Sequence, residues 1–116
     1  MMYVDFSAGN KDYKLRLNTR NTVLLEKTLG CNPVAIFGSG EGLDAIPPIT
    51  TMVAILHASL QQYNHGIALN DAYEIFDKWL EDGHATTDFI KIILEVYQVS
   101  GIIPKENEIE ETEKNA

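Results

Sequence analysis

Three histidines, one cysteine, two close carboxylate pairs and one glycine-rich run are the residues of this 116-residue chain whose types could support chemistry. His57, His65 and His84 invite a metal reading, since neutral imidazole is the commonest transition-metal ligand. Zinc sites on helices, however, set their ligands three to five residues apart, and these lie eight and nineteen apart across helix ends. Asp77 with Glu81, and Glu81 with Asp82, could share a proton as an acid–base pair. They flank Lys78 on what reads as the outward face of an amphipathic helix, where solvated charge is the ordinary state. Cys31 follows a helix-ending glycine and has no cation nearer in sequence than Lys27 to favour a thiolate, so it reads as a small apolar filler. Gly38-Ser39-Gly40-Glu41-Gly42 lacks the Lys-Ser/Thr ending of a phosphate loop and the glycine spacing of a nucleophile elbow, and reads as a connection. The expectation is a protein that is not an enzyme and holds no metal or cofactor.

The elements that would position any site begin with Tyr13-Lys14-Leu15-Arg16-Leu17, whose alternation is the period of a half-buried strand. Tyr3, Val4 and Phe6 form an earlier strand, and Ser7 to Asp12 holds turn residues that return it antiparallel, giving a hairpin over 3–17. Asn18 or Thr19 then caps a helix over 19–29 that Gly30 closes, and Asn32-Pro33 opens a short helical piece over 33–37. Gly38 to Pro48 interrupts all periodicity. Ile49, Met52, Val53, Leu56, Leu60 and Tyr63 mark one face of a helix over about 48–63. Asn70 caps a helix over 70–82 with Leu69, Ala72, Tyr73, Phe76, Trp79 and Leu80 inward, and Thr86 or Thr87 caps a last helix over 87–100. The fold class expected is α+β, mainly α: an N-terminal β-hairpin followed by four to five helices in one globular domain over 1–103. A disordered, acidic tail over 104–116 is expected to follow it.

The last helix is apolar around most of its circumference, with only Lys91, Glu95 and Gln98 as a polar stripe. Such a helix is buried on more than one side. Two arrangements satisfy that: a central core helix, or one whose residues Phe89, Ile90, Ile93, Val96 and Tyr97 lie in a subunit or partner interface because so small a domain is short of covering surface.

Charge limits the partners. Seventeen acidic against nine basic residues give a net charge of −8, of which the segment from Pro104 onward carries −3. A phosphate backbone would be repelled, so nucleic acid is not expected as a partner. No basic leader precedes an apolar run and no stretch has the length of a membrane span, so the chain is expected to stay in the cytoplasm. One cysteine allows no internal disulfide, in keeping with a reducing compartment.

Taken together, the strand Tyr13-Lys14-Leu15-Arg16-Leu17, the helix segment Leu25-Glu26-Lys27-Thr28-Leu29-Gly30, the three apolar helices and the acidic end resemble the tail assembly chaperones of long-tailed bacteriophages of Gram-positive hosts and their prophages. The similarity runs from about Tyr3 to Ile103 and is a pattern of the kind Tyr-Lys-Leu-x-Leu followed by Leu-Glu-x-x-Leu-Gly. It implies a non-enzymatic protein of the bacterial host's cytoplasm, absent from the mature virion, that coats the tape measure protein and keeps it soluble while tail tube subunits polymerise. Self-association, and contact with the tail tube protein, are further expectations. The competing expectation is a small acidic binding or inhibitor protein, such as a nucleic-acid mimic, which would gather its carboxylates on one face.

Overall fold

Two strands of alternating burial begin the chain, and their turn shows why they pair. In the computed structural model, which describes residues 2–37 and 46–105, β1 (Val4–Ala8) and β2 (Lys11–Leu15) run antiparallel with Val4 opposite Leu15 and Phe6 opposite Tyr13. The turn between them is only Gly9-Asn10, both at positive φ, the combination that matches the twist of a two-residue hairpin. A Cβ at Gly9 would lie 2.9 Å from the Lys78 side chain, and the Gly9 N–H donates to the Asp82 carboxylate, so this glycine also docks the hairpin on a helix end.

Four α-helices follow among the described residues, α1 (Thr19–Leu29), α2 (Ile49–Leu60), α3 (Leu69–Glu81) and α4 (Phe89–Val99), with 3-10 turns at Pro33–Phe37 and Thr86–Asp88. The Asn18 side chain accepts the Asn21 N–H at 2.8 Å, and Gly30, in the left-handed conformation, donates to the Glu26 carbonyl. α3 begins at Leu69 rather than after an Asn70 cap, because the Asp71 carboxylate reaches back to the Ala68 N–H at 2.9 Å. Thr86 and Thr87 likewise lie inside a 3-10 turn, with Asp88 accepting the Ala85 N–H, and α4 starts only at Phe89. α2 stops at Leu60, so Tyr63 stands outside it.

α2 is the hub. It packs against α1, α3, α4 and β2, while β1 covers α3 and α4. Met52, Val53, Ile55, Leu56, Ala58, Ser59 and Leu60 are all buried. The one buried polar side chain among the described residues, Ser59, donates to the Ile55 carbonyl, and the Ser59 carbonyl takes the Arg16 N–H at 3.0 Å, so the hub ties down the end of β2. Phe6, Phe76, Trp79 and Phe89 form an aromatic cluster with ring centres 5.3–6.1 Å apart, mostly tilted or edge to face.

Of the two arrangements open to α4, this chain shows the core helix. Phe89, Ile93, Val96 and Tyr97 are buried within this single chain, Ile93 and Tyr97 completely, and Ile90 is half-buried against the same core. The hairpin and α2 supply the cover that composition alone does not reveal. The Tyr97 hydroxyl donates to the Pro33 carbonyl at 2.9 Å, and the Ser100 hydroxyl accepts the Leu17 N–H at 2.9 Å, so the C-terminal end of α4 is also pinned by hydrogen bonds. Only Leu94 among the large apolar side chains of α4 is exposed.

Candidate functional site

Much of the large apolar surface left open among the described residues lies on α1, α2 and α3, at Val23, Leu24, Ile49, Leu69 and Tyr73. α1 is eleven residues long and buries only Leu25, because it packs on α2 along one edge. Successive helical residues are turned about 100° from one another, so the run Val23-Leu24-Leu25 cannot face one way, and Leu24 is left 53% exposed. On α3 the buried set is Ala72, Ile75, Phe76 and Trp79. Leu69 and Tyr73, one turn apart, form the neighbouring stripe and are each 44% exposed instead of lying inward as their apolar character suggests.

Between these two stripes the surface dips into a groove of about 270 Å3. Each helix contributes one periodic row: Asn21, Leu24 and Thr28 from α1, Thr50, Ala54, His57 and Ala58 from α2 with Gln61 just past its end, Leu69 and Tyr73 from α3. The floor is low because α2 presents Ala54 and Ala58 between the taller walls. No carboxylate, lysine or arginine is among the lining residues.

Polar groups at one end fix the shape. The Gln61 carboxamide donates to the Ile67 carbonyl at 2.8 Å and to the His57 carbonyl at 3.0 Å, and His57 Nε2 lies 3.0 Å from the same Ile67 oxygen. These contacts hold the 61–68 turn against the end of α2 and so set where Leu69 stands. His57 is therefore a half-buried structural residue at the groove's edge, its Nε2 taken up by a backbone carbonyl.

The other residues with chemical potential do not converge. His65 is exposed, and His84 stacks flat on Trp79 with ring centres 4.6 Å apart. Asp77 and Glu81 are exposed, and Asp82 is engaged by Gly9. Cys31 is exposed, which corrects its reading as an apolar filler: Gly30 turns the chain outward before it. Among the described residues no group of three His, Cys, Asp or Glu could hold a metal ion. No helix there is long and apolar enough to cross a membrane. The glycine-rich run Gly38–Gly42 and the acidic segment beyond Lys105 lie outside the described residues.

Burial shifts two phenols. Tyr97 is pushed well above its ordinary value, first by burial and then by the nearby Cys31, and Tyr13 is raised by burial alone. Both are core groups and neither faces the groove.

The groove residues were not singled out by residue type, since none is a catalytic or ligating kind except His57. A signal did exist: three consecutive apolar residues on so short a helix must leave one in solvent unless two partners cover it. One family model, described as a family of unknown function (DUF6096), matches residues 4–115. No curated protein and no solved structure matches the chain.

Proposed function

The chain belongs to that family of unknown function, and we propose that it is a non-enzymatic holding protein whose α1–α2–α3 groove takes an apolar helical stripe of a much longer polypeptide. The resemblance to phage tail assembly chaperones names that polypeptide as the tape measure protein. The observation that supports this best is the groove itself: apolar walls of Leu24, Leu69 and Tyr73, a floor of two alanines, and no charged side chain in the lining.

An amphipathic helix laid in such a groove buries its apolar residues at every third or fourth position, and the alanine floor lets its backbone approach closely. A tape measure is long and largely helical, so unprotected stripes would aggregate before tube subunits surround them. The net charge of −8 keeps a complex with many chaperone copies from associating further. In this reading the protein acts in the cytoplasm of the bacterial host, leaves before the virion is complete, and meets the tail tube protein only as its successor on the tape measure.

The test is co-expression with a tape measure protein from the same genome. The long protein is expected in the soluble fraction with the unaltered chain and in the pellet with Leu24→Glu/Tyr73→Glu. Both positions are about half exposed, so the circular dichroism of the variant should match that of the parent. Solubility indifferent to the chain, or to both substitutions, refutes the reading.

A further inference from the structure

The two walls of the groove are alike in their apolar side chains, but the lips above them differ in charge. On α1, Leu24 has Asn21 and Thr28 beside it in the groove, while Arg20, four residues back, and Lys27, three ahead, stand next to it on the solvent side. The carboxylate of α1, Glu26, is two residues from Leu24, about 200° round the helix, and faces away from the groove. On α3, Tyr73 has Leu69 beside it in the groove and Asp77 one turn further on, with Glu81 and Glu74 as the next neighbours of Asp77. Lys78 lies about 140° round from Tyr73 and stands against Gly9 of the hairpin, on the far side of α3. Arg20, Lys27, Glu74, Asp77 and Glu81 are all exposed.

The α1 lip therefore carries +2 and the α3 lip −3, with an uncharged groove between them. A helix lying in the groove sets one flank over each lip. Turning it end for end exchanges the flanks, so a helix whose flanks differ in sign meets opposite charges in one direction and like charges in the other. A helix with the same charge on both flanks has no such preference. Exposed ion pairs are individually weak, each worth up to about fivefold in affinity, but several act together here and the wrong direction adds repulsion.

We propose that the groove selects the direction of its partner helix by charge. The partner carries acidic residues on the flank that lies along Arg20 and Lys27, and basic residues on the flank that lies along Asp77, Glu81 and Glu74. This selection rests on the holding function assigned to the groove, and adds which kind of stripe is held and which way round. Copies seated on one long polypeptide then all point the same way along it. The preference fades with salt, since the screening length falls from about 10 Å at 0.1 M to about 3 Å at 1 M.

Two synthetic peptides of about 18 residues, roughly 27 Å long as helices, test this on the full chain. Both carry leucine on one face. Seen from the N-terminus, the first has glutamate on its left flank and lysine on its right, the second the reverse, and each bears an amide-linked nitroxide at its N-terminus. Thr50 and Gln61 line opposite ends of the groove, so their amide signals report where the label lies. At low salt the first peptide is expected to favour one direction by about tenfold, broadening one of these signals, and the second peptide to broaden the other. The preference is expected to vanish in 1 M sodium chloride and to invert in Arg20→Glu/Lys27→Glu/Asp77→Lys/Glu81→Lys. Both peptides broadening the same end, or both ends alike at low salt, would overturn the selection and leave the holding function standing. If neither peptide shifts the groove amides, the holding function is refuted and this proposal with it. If the charge-reversed variant does not fold, the two peptides on the unaltered chain decide alone.

Discussion

α4 and α1 are both eleven-residue helices, and they use their apolar residues in opposite ways. α4 is much the more apolar and leaves almost nothing open, because β1 and α2 meet on it and Tyr97 and Ser100 lock its C-terminal end. α1 is more polar overall, touches mainly α2 and the turn after it, and leaves Val23 and Leu24 in solvent. The available apolar surface of a small domain is thus set by how many neighbours cover a helix, and the amount of apolar side chain on it is a poor guide. A holding surface belongs on the thinly covered helix.

Paired truncations sharpen that contrast most. Ile93→Ala removes a completely buried side chain at the centre of α4 and is expected to cost about 2–5 kcal/mol, from the transfer of the lost methyl groups and the cavity they leave. Leu24→Ala on α1 is expected to stay within about 0.5 kcal/mol. Urea unfolding followed by circular dichroism gives both numbers. Equal costs would mean that α1 is as deeply committed to the core as α4, and the groove would lose its claim to be a spare surface.

Alkaline unfolding separates the two regions by chemistry. Burial raises the Tyr97 phenol above its ordinary value of 10.0, while the same phenol in the unfolded chain ionises near that value. Above about pH 10 the unfolded state therefore binds fewer protons than the native state, and stability falls as pH rises toward the folded value; below pH 10 this contribution is fully present. Tyr13, shifted the same way, adds to the loss. Tyr97→Phe is expected to lower stability at pH 7 by about 1–3 kcal/mol, since the Pro33 carbonyl loses its buried donor, and to flatten the alkaline decline. Thermal melts of both proteins from pH 8 to pH 11 measure this. An unchanged slope in the variant would show that Tyr97 does not hold its proton as its surroundings require.

Much of this architecture is legible in residue order, and the part that is not has a common cause. The alternation Tyr13-Lys14-Leu15 gives the hairpin, Asn18 and Gly30 bound α1, and the spacing of Met52, Val53, Leu56 and Leu60 gives the buried side of α2. Each depends on neighbours along the chain. What covers Phe89 and Ile93 depends on β1 and α2, more than twenty residues away in sequence, and no local period encodes it. The same limit placed Leu69 and Tyr73 on the inward side: they are one residue step from the buried stripe, and only the position of α1 shows that they line an open groove. His57, the one groove residue with chemical character, was visible as a histidine but not as the holder of the 61–68 turn, since that contact needs the turn's geometry.

A more local effect probes whether α1 can loosen by itself. Asn18→Ala removes the oxygen that accepts the Asn21 N–H and is expected to cost about 1 kcal/mol. Because α1 contributes only Leu25 to the buried core, this loss should act as local fraying. In hydrogen exchange the Asn21 and Thr22 amides are expected to speed up several-fold, with the α4 amides of Ile93 to Tyr97 slowed or hastened by far less. A groove with one compliant wall can close on helices of differing girth, which suits a long partner whose stripe is not uniform. Equal loss of protection in α1 and α4 would make the two helices one cooperative unit, and the groove would then have to accept its partner with rigid walls.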